Sequence, residues 1–175
     1  MVVLRATQKV LRTLPRSAND SDTSDTALGD WYVNRIIVDR QPLLLLVSSK
    51  SLLAIIAPAR DVRTLPDRFP GMVADRLRQL GVDLSLIGSE MDVMHAVRVG
   101  PTQDRSVLGT MVDFAKALPY YLPVDGWSTT TLRSVEDRLA ETPCQASGRF
   151  EDVIFPERTA LRLLEERWVS RAVTH

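Results

Sequence analysis

The clearest pattern of apolar and polar positions runs from Asp104 to Leu118. Val107, Leu108, Met111, Val112, Ala115 and Leu118 recur at helical spacing and form one apolar stripe. Asp104 stands just ahead of them, a short carboxylate suited to accept from the amides of a first turn. Ser106, Thr110, Asp113 and Lys116 fall on another face, with Asp113 and Lys116 at a favourable i,i+3 spacing. Pro119 cannot extend the hydrogen-bond ladder, so the helix is predicted to end there. Gly109 lies in the helix interior, where glycine costs about 1 kcal/mol against alanine. Either a ligand or another backbone comes close at Gly109, or the helix packs tightly on its own sheet; packing is the reading taken here.

Elsewhere the period is that of strands. Trp31 to Val38 is dense in aromatic and β-branched residues, Leu43 to Val47 is apolar throughout, and Leu52 to Ala57 follows two polar turns. Short connections predict an antiparallel meander. A strand apolar on both faces belongs at the centre of a sheet, covered on each side, which makes Leu43 to Val47 the expected centre. Val2-Val3-Leu4 predicts a short strand, and Thr7 a cap for a short helix with Val10, Leu11 and Leu14 inward. Ser17 to Thr26 is almost wholly polar and predicts a flexible, solvated loop. Pro66 to Gly81 predicts a helix with Phe69, Met72, Val73, Leu77 and Leu80 inward and Asp67, Arg68, Asp75, Arg76 and Arg78 outward. Asp83 caps a further helix to about Met91. Met94 to Val99 predicts a fourth strand around His95 and Arg98, with Gly100-Pro101 as a turn. After Pro123 only helices are expected. One is capped by Ser128 or Thr129 and runs to about Ala140; the other opens at Pro156 and carries Leu161, Leu163, Leu164 and Trp168. Thr142 to Gly148 is an expected loop, and Val169 to His175 an expected frayed end.

The expected fold class is α+β: an antiparallel sheet of about four strands with helices packed on it and a helical C-terminal layer. Residues 1–122 form the α+β core, with the flexible loop at 17–28. Residues 123–175 form a helical extension, packed on the core or serving as an oligomer arm.

Charge and cysteine content narrow the classes. Twenty-two basic residues balance 22 acidic ones, so no overall field favours a polyanionic partner. One cysteine, Cys144, excludes an internal disulfide and a cysteine-based zinc site, and fits a reducing, cytoplasmic compartment. Leu43 to Ala57 is too short and too interrupted to span a bilayer.

Several runs, in order along nearly the whole chain, resemble a bacterial family known only as a domain of unknown function. They are Leu4-Arg5-Ala6-Thr7-Gln8-Lys9, Leu28-Gly29-Asp30-Trp31-Tyr32-Val33-Asn34, Asp104-Arg105-Ser106-Val107-Leu108-Gly109-Thr110-Met111, Glu141-Thr142-Pro143 and Phe155-Pro156. The third is the most specific. The resemblance implies a small α+β bacterial protein and no assigned activity.

No residues assemble a catalytic constellation. His175 is terminal, and His95 lies in a predicted strand, where a half-buried structural role is expected. Cys144 follows Thr142-Pro143 in a loop and reads as a spare thiol. Two histidines and one cysteine, far apart, match no metal spacing, and neither glycine-rich nucleotide fingerprint is present, so no metal or cofactor is expected. Arg76 to Ile87 imitates a helix-turn-helix, but Asp83 to Met91 has no Arg, Lys, Asn or Gln to read DNA.

Three functions remain, in this order. The first is a non-enzymatic interaction or binding module, with a homo-oligomer or another protein as partner. The second is a nucleic-acid accessory protein using Arg5, Lys9, Arg12 and Arg16. The third is a small-molecule enzyme. Any ligand or anion site is expected where the helix starting at Asp104 meets the sheet. Arg105 and Arg98 would hold the anion, Ser106 and Thr110 would supply hydroxyls, Asn34 a facing polar group, and Trp31 or Tyr32 the wall.

Overall fold

A computed structural model of the chain describes residues 1–123, 128–145 and 152–172. In order, these contain β1 (Val2–Ala6), α1 (Gln8–Leu11), β2 (Trp31–Val38), β3 (Gln41–Ser48), β4 (Ala54–Pro58), α2 (Leu65–Gln79) and α3 (Leu84–Val93). There follow β5 (Val97–Pro101), α4 (Arg105–Tyr121), α5 (Thr129–Glu141), β6 (Cys144–Gln145), β7 (Val153–Ile154) and α6 (Pro156–Ala172).

The fold is α+β. Five strands, in the order β4-β3-β2-β1-β5, form one sheet, and β6 and β7 form a small separate ladder. The meander is present: β2, β3 and β4 pair antiparallel, with Trp31 opposite Ser48 and Leu45 opposite Ile56. The sheet is nevertheless mixed, because β1 runs parallel to both β2 and β5. Its middle strand is therefore β2, not Leu43 to Val47. Hairpins announce themselves locally through turns, whereas the β1–β5 pairing joins Val2 to Val97 and leaves no local signal.

β3 is covered on both faces, as its composition requires. Leu44 and Leu46 meet a core closed by Phe69, Val73 and Leu77 of α2, Ile87 of α3 and Ala160 and Leu164 of α6. Leu43, Leu45 and Val47 meet a second core closed by Val107, Met111, Phe114 and Leu118 of α4 and Leu132, Val135 and Leu139 of α5. The two C-terminal helices thus lie on opposite faces of their own sheet.

α4 is capped as its sequence predicts, Asp104 Oδ1 accepting from Ser106 N at 2.8 Å. Its buried face is rotated from the expected stripe: Phe114 and Thr110 are inside, while Val112 is 51 % exposed. The helix also runs through Pro119 to Tyr121. A proline in the last turn removes its own donor but leaves Leu122 N free to bond Leu118 O at 3.0 Å.

Both sheet edges are covered. On β4 the outward Ile56 N donates to Glu136 Oε1 of α5 at 2.7 Å. On β5, Ser17 N and Ala18 N both donate to Val99 O at 2.8 Å, and Val99 N donates to Ser17 Oγ at 2.9 Å. The segment expected to be flexible is therefore tied down. Ser24 N donates to Asp30 Oδ1 at 2.9 Å, Asp25 N to Met1 O at 2.9 Å, and Asp22 meets Arg98 at 3.1 Å.

Two arginines expected outside are inside. Arg5 is 1 % exposed and pairs through Nε with Asp30 at 2.7 Å. Arg76, also 1 % exposed, reaches from α2 around the β4 edge to α5, donating to Glu136 O at 2.9 Å and Asp137 Oδ1 at 2.6 Å. Thr7 does not cap α1 with its side chain; its hydroxyl donates to Asn34 Oδ1 at 2.9 Å. His95 lies before β5 and is exposed, its Nδ1 3.0 Å from Asp92 O. Positions 146–148 of the expected loop, and residues 173–175 with His175, lie outside the described residues.

Candidate functional site

α4 and the C-terminal end of α5 leave a groove between them, closed at one end by β6. Its volume is 690 Å³. Arg105, Ser106, Gly109, Thr110 and Asp113 come from one flank of α4, with Phe114, Ala117 and Tyr121 below them; Leu139, Thr142, Pro143 and Cys144 come from the other side. The mixture follows from helix geometry. Residues three and four apart share a face, so the row from Arg105 through Gly109 to Asp113 borders the buried row from Thr110 through Phe114 to Leu118.

The polar groups here are unequally committed. Ser106 Oγ donates to Asp104 Oδ1 at 2.7 Å, and Thr110 Oγ1 donates to Ser106 O at 3.3 Å. Asp104 N donates to Tyr32 Oη at 2.9 Å, which anchors the helix start to β2. Ser106 N of the first turn is thus taken by Asp104, which already supplies the anion that a helix start attracts. Arg105 differs: its guanidinium has no hydrogen bond or ion pair among the described residues. Among the described residues Asp113 pairs only with Lys116, at 3.9 Å. A Cβ at Gly109 would meet nothing within 4 Å, so the residue is not held as glycine by close packing on the sheet, contrary to expectation. Gly71 and Gly88 are equally open; Gly109 is distinguished by lining the groove.

Cys144 is buried at the far end. Burial first, and then the charge of Asp113, push its thiol up to about 11, so it stays protonated at neutral pH and is a poor nucleophile.

Of the residues expected to form the site, Arg105, Ser106 and Thr110 come together. Tyr32 holds the helix start without lining the groove, and Trp31, Asn34 and Arg98 do not join them. Trp31 lies on the opposite face of the sheet, edge-on to Phe69 with ring centroids 5.5 Å apart. Asn34 is bonded to Thr7, and Arg98 pairs with Asp22 beside the 17–28 segment. Strand alternation put Trp31 and Tyr32 on opposite faces, and sequence alone did not say which face α4 takes. The groove residues of α5 and β6 were not anticipated either, since nothing local brings Leu139 and Cys144 against α4.

A family model described as a domain of unknown function (DUF6933) matches residues 3–159. The chain belongs to that family. The match runs from the second residue of β1 through the rest of the sheet, α4, α5 and β6, and so includes every residue of the groove; it stops in the first turn of α6. No curated protein matches the chain. Among the described residues no group of three or more His, Cys, Asp or Glu could hold a metal, and no helix is long and apolar enough to cross a membrane.

Proposed function

We propose that this chain is a binding module without chemistry of its own, and that its ligand lies along α4 in the groove. The carrying observation is the unpartnered Arg105 at the mouth of a cavity whose wall is Phe114, Ala117, Tyr121 and Leu139. A cation with no counter-charge among the described residues, beside an apolar wall, suits a small amphipathic acid: carboxylate on Arg105, body against the rings. About 12 Å of helix separates Arg105 from Asp113, from the rise of 1.5 Å per residue, enough for an elongated molecule with a donor group at its far end. The protonated Cys144 thiol and the exposed, unassembled His95 support binding over catalysis. A cytoplasmic setting belongs to the same reading and rests on the single cysteine.

Amide NMR titration with a panel of small carboxylic acids bearing apolar bodies is the test. Shifts should cluster on 105–114 and 139–145, and Arg105→Ala should abolish them while changing stability by less than about 0.5 kcal/mol, as expected for an unpaired surface residue. Shifts elsewhere, or an Arg105→Ala protein that is strongly destabilised, would contradict the assignment.

The arm version of self-association is weakened, because α5 and α6 each bury their apolar faces on their own sheet. Nucleic-acid binding through the N-terminal segment loses Arg5 to the interior and finds Arg16 paired with Asp20 at 2.6 Å.

A further inference from the structure

A second cavity, of 480 Å³, opens where α1, the far end of β2 and the turn before α2 meet. Lys9, Arg35 and Arg63 line it, together with Thr13, and Asp61 is the one carboxylate in its lining. None of the three cations makes a hydrogen bond or ion pair with any described residue. Arg16, Arg78, Arg98 and Arg162, by contrast, each lie within 3.1 Å of a carboxylate.

Three separate elements place these charges. β1 ends at Ala6, opposite Val33, whereas β2 continues to Val38, so Arg35 stands beyond the end of its parallel neighbour. By alternation it shares the face of Trp31 and Val33. α1 follows β1 directly and brings Lys9 over that uncovered stretch. Arg63 comes from a 3-10 turn, Val62–Thr64, that follows Asp61 in the left-handed region at φ 49° and ψ 53°. Arg68 fixes this turn, donating to Thr64 Oγ1 at 3.1 Å and Arg60 O at 3.2 Å. Like charges gathered at one mouth repel each other, and an anion between them reverses the sign of that energy.

We infer that this cleft binds a small phosphate-bearing molecule, a monoester or a diphosphate. A phosphate group carries a charge of about −1.5 to −2 with several strong acceptor oxygens. Two guanidinium forks can each take two of those oxygens, while Lys9 adds a compact positive charge and Thr13 a hydroxyl donor. The volume lies in the range of about 300–1,000 Å³ usual for small-molecule sites. A polynucleotide would want a longer basic track, and in the basic N-terminal run Arg5 is buried and Arg16 is paired with Asp20. This site is independent of the α4 groove and stands or falls separately.

Isothermal titration of the full chain with inorganic pyrophosphate at low salt tests it. Wild type should bind, and added salt should weaken binding through screening. Arg35→Gln combined with Arg63→Gln should weaken it by at least about tenfold. Both side chains are exposed, so a melting curve matching wild type is expected for that variant. Arg105→Ala, in the other groove, should leave pyrophosphate binding unchanged. Three results overturn the proposal: no heat with wild type, equal binding by the double variant, or a single-stranded oligonucleotide binding more tightly than pyrophosphate.

Discussion

The two faces of the sheet are closed in different ways. On the face of Trp31 and Leu44, α2, α3 and α6 bury Phe69, Val73, Leu77, Ile87 and Leu164 against the sheet, and the carboxylate buried among them is hydrogen-bonded. Glu90 accepts from Ala27 N at 2.9 Å, Leu28 N at 3.3 Å and Trp168 Nε1 at 2.9 Å, tying the chain before β2 to α3 and α6. On the face of Tyr32 and Leu45, α4 and α5 close the floor but part above it, leaving Arg105 without a partner among the described residues and Gly109 open. Hydrophobic burial supports both layers; among the described residues α4 leaves unpaired polar groups along its own length, whereas on the other face the unpaired Lys9, Arg35 and Arg63 stand only past the end of β1, outside the packed helices. The layer of α2, α3 and α6 is thereby committed to stability and the flank of α4 is left for a ligand, and this division can be attacked from either side.

The largest effect is expected on the closed face. Glu90→Ala strands three donors inside the protein, each costing about 1–3 kcal/mol. A loss of about 3 kcal/mol or more, roughly 6–12 °C in melting temperature, should appear in thermal unfolding. A loss below about 1 kcal/mol would mean that this face is not closed by that carboxylate.

Glu136 gives the next effect, through pH. Burial raises its carboxyl from 4.5 to about 7, outweighing the Ile56 amide and a distant Arg76, whose Nη1 is 4.0 Å away but only 2.6 Å from Asp137. The folded state therefore holds a proton that the unfolded chain has released. Stability from this group is present below pH 4.5 and declines as pH rises to about 7. Burial also raises Glu90, which adds a contribution of the same sign. Urea unfolding across that window should lose about 1–3 kcal/mol, and Glu136→Gln should flatten the slope while keeping an acceptor for Ile56 N. A slope of opposite sign in wild type would refute the assignment.

A smaller pair of effects should differ in sign. Gly29 has φ +78°, and a Cβ there would lie 2.5 Å from Ser49 Oγ and 2.9 Å from Lys50 Cγ. Gly29→Ala should destabilise by more than about 1 kcal/mol. Gly109→Ala should stabilise by about 0.5–1 kcal/mol, since the helix gains propensity and nothing is struck. Destabilisation at both positions would remove the contrast between the faces.

Much of this was legible in the residues. The meander, the caps at Asp83, Asp104 and Ser128, the opening of α6 at Pro156 and the double burial of Leu43 to Val47 are all written in local period and local chemistry. The α+β class followed from them. The parallel placement of β1 was not legible, because its partners lie far along the chain. Neither was the burial of Arg5, Arg76, Glu90 and Glu136. A charged residue in an amphipathic pattern reads as outward, and only its tertiary partners reveal otherwise. The 17–28 segment misled for the same reason: its polar side chains and amides bond Val99, Met1 and Asp30 instead of water. For the groove, Arg105, Ser106 and Thr110 converge because they share one helix flank. Trp31, Asn34 and Arg98 were tied to them only by an assumed position of α4 on the sheet, and the opposite wall came from α5 and β6.

The central claim is that the open face is kept open for a ligand, and Gly109→Leu tests it most directly. The new side chain would project into the groove from a helical position that favours leucine over glycine. The measurement is the affinity of the variant for whichever amphipathic acid wild type binds in the amide titration, with the melting temperature taken on the same sample. The account predicts an affinity lower by at least about tenfold at an unchanged or raised melting temperature. Unchanged affinity, or a protein that melts several degrees lower, would contradict it.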